Sequence, residues 1–194
     1  MHGNLPKLRY DEIEASVVDM FEECDVHTWP LDPYDIASKL HYLLVPYSSL
    51  PDNEFLKAYN ISEDAYSIVE EEPDSGMFRY VIYFNDGVPS PGRKRFSLFH
   101  EIGHCYLGHH DNPDDSLAEV EEEEANHFAK YAMAAPPLIH LAGCKCPEDV
   151  VDSFRTSNEA GTYSFEFYQR WCCLPLNTGK EYERRLVKMF FPAA

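Results

Sequence analysis

The sequence is short of positive charge, of long apolar runs and of regularly spaced cysteines, and each shortage closes off a class of function. Only 16 lysines and arginines stand against 34 acids in 194 residues, a net charge of −18. Phosphate neutralisation needs a basic surface, so this balance argues against direct nucleic-acid binding. It equally disfavours docking on an anionic membrane. A basic protein partner is a different matter, because the same field speeds that encounter. No stretch approaches the roughly 18 consecutive apolar residues of a membrane span. The opening Met1-His2-Gly3-Asn4-Leu5-Pro6-Lys7 lacks the apolar core of a secretory signal. Six cysteines are present, but Cys144-x-Cys146 and Cys172-Cys173 lack the two-residue gap usual in structural metal sites. The expectation is reduced thiols in a cytoplasmic protein.

What remains is ample for a core: 44% of residues are hydrophobic and 14% aromatic. The length predicts a single domain over residues 1–194, with 1–10 flexible and 147–194 forming a C-terminal helical segment. Ile13, Val17, Met20 and Phe21 recur at helical spacing, so a first amphipathic helix runs from Asp11. Asp32-Pro33 marks a second helix start, and Leu43–Val45 a short strand. Extended runs at Tyr66–Val69 and Arg79–Phe84, with turn residues Asn85-Asp86-Gly87, predict antiparallel strands. Pro89-Ser90-Pro91-Gly92 reads as a breaker before a helix over about Arg95–Leu107, with Gly108 just past its end. Asp111–Ser116 reads as a polar loop. Ser116 and Glu119 have capping-box spacing, which places the next helix over about Leu117–Met133. Further helical patterns lie near Val150–Phe154, Ser157–Trp171 and Glu181–Met189. No internal repeat is present.

The chemistry concentrates in Phe99-His100-Glu101-Ile102-Gly103-His104-Cys105. Residues four apart on a helix sit one above the other, so His100 and His104 project from one face. Two neutral imidazoles placed this way can ligate one zinc ion, leaving Glu101 to take a proton from a water. Leu98, Ile102 and Cys105 fall on the opposite, core-facing side. Gly103, costly inside a helix, implies that something packs close to it.

A catalytic zinc takes three protein ligands and keeps one position open. His110 stands six residues after His104, as in the metzincin pattern, but that pattern needs glycine at 107, where this chain has Leu107. The alternative is a glutamate from the helix Leu117–Met133. Its buried stripe should be Ala125, Phe128, Ala129 and Ala132, and extending it backward by whole turns reaches Glu121 and Glu122. Glu123, His127 and Lys130 share what should be the outward face. Glu122 is the preferred third ligand, with Asn126 placed to support it; Glu121 and His110 stay open as alternatives.

The run Arg95-Phe96-Ser97-Leu98-Phe99-His100-Glu101-Ile102-Gly103-His104-Cys105-Tyr106-Leu107-Gly108-His109, with Glu122-Glu123-Glu124-Ala125-Asn126-His127-Phe128-Ala129 after it, resembles the ImmA/IrrE family of metallopeptidase domains. Pro30–Ala37, Ile82–Asn85 and Phe154–Ala160 are similar to further parts of that family, so the resemblance covers most of residues 13–172. It implies an α+β fold: a compact zincin-like domain with a small antiparallel or mixed sheet packed on helices, one of them the HExxH helix. It also implies zinc on His100, His104 and Glu122, Glu101 as base, and cleavage of a helix-turn-helix repressor of the phage or mobile-element kind. The family's Leu-Leu-Met-Pro after the second motif becomes Ala132-Met133-Ala134-Ala135-Pro136 here.

The expected function is therefore zinc-dependent peptide hydrolysis, with a protein substrate, no direct nucleic acid and no membrane. The competing expectation is a non-catalytic anti-repressor that keeps the scaffold and acts by binding. A substrate strand is expected to add near Arg79–Phe84, and His140 and Tyr163 are candidates for the oxyanion partner. Arg93-Lys94-Arg95, unfavourable at a helix start, should pair with acids.

Overall fold

The computed structural model describes residues 5–72, 76–112, 115–174 and 179–191. Helix α1 spans Lys7–Glu23, so the flexible start expected over residues 1–10 is corrected: Arg9 and Tyr10 lie inside the helix, while residues 1–4 fall outside the described residues. The reason is a partner invisible in the local pattern. Arg9 donates to Glu124 and Tyr10 to Glu123, both on a helix more than 100 residues away. Ile13, Val17, Val18, Met20 and Phe21 are the buried apolar face of α1, as the spacing demands.

Helix α2 (Pro33–Lys39) begins as expected, with the Asp32 carboxylate accepting from Tyr34 N at 3.0 Å. Strand β1 (Leu43–Pro46) follows, then helix α3 (Asp52–Ile61), which the sequence reading did not anticipate. Only Ala58 of α3 is buried, and Leu56 and Ile61 are exposed, so its apolar residues trace no buried stripe.

Strands β2 (Ala65–Glu71) and β3 (Phe78–Phe84) pair antiparallel, Ser67 facing Ile82. β1 pairs parallel with β3, so the sheet is mixed, in the order β1-β3-β2. This corrects the expectation of a free edge at Arg79–Phe84: that strand is central, paired on both sides, and β2 is the edge beside the helices. The connection residues 73–75 lie outside the described residues.

Helix α4 (Pro91–Tyr106) starts four residues earlier than the pattern indicates. What reads as a breaker is a start signal. Ser90 caps Arg93 N, and Pro91 takes the first turn, where its missing N–H costs nothing. Gly92 is required there, since a Cβ would stand 2.5 Å from Ser157 N. Leu98, Phe99, Ile102 and Cys105 are buried. Gly108, at φ +75°, ends the helix as expected.

Where a polar loop over Asp111–Ser116 is expected, short 3-10 turns cover His109–Asp111 and Asp115–Leu117; residues 113 and 114 lie outside the described residues. Helix α5 (Ala118–Ala134) follows, with Leu117 rather than Ser116 at its N-cap position. Its stripe Ala125, Phe128, Ala129 and Ala132 is fully buried. Helices α6 (Pro136–Ala142), α7 (Pro147–Phe154), α8 (Asn158–Cys172) and α9 (Glu181–Phe190) complete the described chain. Glu14 of α1 holds this end in place: it is buried and receives Tyr182 Oη at 2.6 Å and Lys180 Nζ at 3.2 Å. No described helix is long and apolar enough to cross a membrane.

Candidate metal centre

α4 and α5 meet where Gly103 faces Phe128, a contact so close that a Cβ on Gly103 would lie 3.0 Å from the ring. The absence of that Cβ lets the polar faces of the two helices converge on one point. On α4, four-residue spacing stacks His100 and His104 with ring centroids 4.8 Å apart. Their Nε2 atoms stand 3.0 Å from each other. From α5, Glu122 brings one carboxylate oxygen to 3.4 Å of His100 Nε2 and the other to 3.4 Å of His104 Nε2. These three residues offer ligand atoms within 4.8 Å of one another and could hold a metal ion.

The spacing is compatible with a small metal ion. Tetrahedral ligands at about 2.0–2.1 Å from a zinc ion lie about 3.3 Å apart along each edge; the two carboxylate–imidazole separations, each to a different oxygen, are 3.4 Å, and the two imidazole nitrogens stand closer, at 3.0 Å. Side-chain burial grades across the set: His100 and His104 are 14% and 13% exposed, Glu122 60%. Contact with His100, then His104, holds Glu122 well below the usual carboxylate range. Burial opposes charge on His100, yet Glu122 and Glu101 outweigh it and its pKa is raised. The alternative ligands are accounted for elsewhere. Glu121 receives Asn112 Nδ2 at 2.9 Å, and His110 Nε2 stands 2.9 Å from Ser67 Oγ.

Glu101, only 7% exposed, borders the same space. Ser67 Oγ donates to its Oε2 at 2.7 Å. Having given its one proton to Glu101, Ser67 must accept from His110, so His110 carries its proton on Nε2 in this arrangement. Burial lowers the pKa of His110, with His104 and His109 adding to the effect. The groove over these groups encloses about 620 Å³ and is walled by Tyr66 and Ser67 of β2, Phe96 of α4 and Asn126 of α5.

Some expected placements are corrected. Glu123, His127 and Lys130 do not face solvent: Glu123 receives Tyr10, His127 Nε2 meets Glu14 at 3.1 Å, and Lys130 lies over the Tyr163 ring at 4.4 Å. His140 meets Tyr168 Oη at 3.2 Å, and neither it nor Tyr163 lines the groove. Of the basic cluster, Arg93 pairs with Asp64 at 2.8 Å. Lys94 donates instead to Asp86 O, and Arg95 to the carbonyls of Leu31 and Phe154. Sequence reasoning missed Ser67, which is one hydroxyl in an ordinary strand pattern. It also missed the pairing of His109 with His104, signalled only by a third histidine five residues after the second.

A small mixed sheet, a helix presenting His100, Glu101 and His104, and a glutamate from the next helix define a zincin-like metallopeptidase-type domain. Residues 51–138 match the model of the family described as the IrrE N-terminal-like domain, Peptidase_M78, and this segment is an ImmA/IrrE family metallopeptidase domain. The match takes in α3, β2, β3, α4 and α5, but not α1, α2 or α7–α9. A comparison with curated proteins finds no match.

Proposed function

We propose that this chain is a zinc-dependent peptidase that hydrolyses a peptide bond in a regulatory protein, with a helix-turn-helix repressor as the substrate class. The observation that carries the reading is the convergence of His100, His104 and Glu122 within 4.8 Å of one another. Zinc held by these three would supply Lewis acidity, making a water acidic near neutral pH and polarising the scissile carbonyl.

The chain's own groups do the rest. Ser67 fixes one oxygen of Glu101, which leaves the other free to take a proton from water and return it to the departing amine. Walls from Tyr66, Phe96 and Asn126 limit the water around the reacting bond. An extended substrate segment adds to the free edge of β2, which runs past Glu101 through Ser67. The charge of −18 favours a basic, DNA-binding substrate.

The test compares wild type with Glu101→Gln for cleavage of candidate repressors, with bound zinc measured in both. Cleavage should fall about 10²–10⁴-fold at unchanged zinc content. Undiminished cleavage by Glu101→Gln would refute the mechanism. Derepression that persists without cleavage would assign the chain to the non-catalytic anti-repressor class.

A further inference from the structure

We propose that His109 and Glu124, anchored by Arg9 of α1, form a positioning relay that fixes the tautomer of His104 and aims its Nε2 lone pair at the metal. The proposal rests on the metal reading of His100, His104 and Glu122.

His104 turns Nε2 toward Glu122 and Nδ1 toward His109, whose own Nδ1 stands 2.9 Å away. On its other side His109 Nε2 meets Glu124 Oε2 at 3.1 Å. Arg9 grips that carboxylate with two donors, Nε to Oε1 and Nη2 to Oε2, each at 2.6 Å. Both His109 and Glu124 have side chains only 7% exposed.

Donor and acceptor counting then leaves one arrangement compatible with a metal. Glu124 engaged by Arg9 is an ion that only accepts, so His109 donates to it from Nε2. A neutral His109 therefore presents a bare Nδ1, which can only accept. The proton between the two rings must sit on His104 Nδ1, which leaves His104 Nε2 bare and pointed at the ligand cluster. The reverse arrangement would put the proton on His104 Nε2 and block coordination. A carboxylate behind a ligating imidazole is a known way of fixing ring orientation and basicity; here a second imidazole extends the reach by one ring.

The two ring ligands are thus held differently. His100 Nδ1 is buried without a hydrogen-bond partner, so no directed bond holds that ring from behind. His104 is held by directed bonds that end on α1. Arg9 lies outside residues 51–138, so the matched segment does not contain its whole metal site, and α1 is part of the working centre.

The experiment uses the full chain with zinc alone as probe, affinity read by chelator competition and folding by circular dichroism. His109→Phe should weaken zinc binding about 10–100-fold, and Glu124→Gln about tenfold. His109→Asn, whose amide oxygen can accept from His104 Nδ1–H, should recover most of the loss. Nitrogen-15 spectra of the zinc-loaded wild type should show protons on His104 Nδ1 and His109 Nε2. A proton on His104 Nε2 overturns the relay. So does zinc binding within twofold of wild type in folded His109→Phe and Glu124→Gln. If His109→Phe fails to fold, the wild-type spectrum decides. Failure of the wild type itself to bind one zinc would overturn the metal reading and the relay with it.

Discussion

Replacing Gly103 by alanine puts a methyl group into the contact that joins the two ligand-bearing helices. That methyl would stand 3.0 Å from Phe128 Cδ1 and 3.2 Å from its Cβ and Cγ. Carbon atoms in ordinary contact stand about 3.5–4.0 Å apart. Phe128 cannot swing aside, because it is fully buried and its Cβ is fixed to the α5 backbone. The helices must therefore part by a few tenths of an ångström. Alanine's helix propensity favours the variant by about 1 kcal/mol, while forcing a carbon into a packed core costs about 1–3 kcal/mol. The balance is a loss of about 1 kcal/mol, which lowers the melting temperature of a protein this size by about 2–4 °C. On the proposed zinc reading, the site would be more sensitive than the fold. His100 and His104 ride on α4 and Glu122 on α5, and metal–ligand distances tolerate only about 0.2 Å. Zinc affinity should fall about tenfold, on the scale of a lost supporting contact. Calorimetry of the metal-free protein gives the first number and chelator competition the second. An unchanged zinc dissociation constant in Gly103→Ala would refute the argument that this contact sets the ligand spacing.

Zinc at 100 times its dissociation constant should stabilise the protein by about 2.7 kcal/mol and raise its melting temperature by about 5–10 °C; chelation should reverse the shift. Ser67→Ala, which frees Glu101 Oε2, should lower kcat about tenfold, on the scale of one lost hydrogen bond to a charged group, with KM and zinc content unchanged in steady-state assays. Glu14 is buried, and despite that burial His127, Lys180 and Tyr182 lower its pKa from the ordinary 4.5. Its stabilisation is therefore complete above pH 4.5 and is lost as pH falls through the lowered folded value. Glu14→Gln should cost about 1–3 kcal/mol near neutrality and flatten the acid limb of melting temperature against pH.

The helix carrying His100 and His104, and the approach of Glu122 to it, were legible because both follow from a 3.6-residue period. Four-residue spacing stacks the two imidazoles, and the buried Ala125–Phe128–Ala129–Ala132 stripe, run back by turns, reaches position 122. The same reasoning failed for Glu123 and His127, because a period tells which face is shared but not which neighbour covers it. α1 covers that face with Tyr10 and Glu14. α3 escaped notice for the converse reason: a helix that buries only Ala58 leaves no stripe to read. Sheet order was equally hidden, since alternation within Arg79–Phe84 is the same whether one or both edges are paired. Pro89–Gly92 reads as a breaker before the helix, whereas Ser90 at the cap makes Pro91 its first residue.

The position of β2 at the margin of the sheet has one more effect. An open strand is ordinarily a hazard, inviting a second copy of the same chain to zip onto it. β2 carries Glu70 and Glu71 at its far end, so two copies zipped together in parallel would meet carboxylate against carboxylate. A visiting chain with lysine or arginine at those places meets attraction instead. The hydroxyl of Ser67 lies on that same ribbon, hydrogen-bonded to Glu101. On the function proposed above, one short ribbon would bring such a visitor beside Glu101.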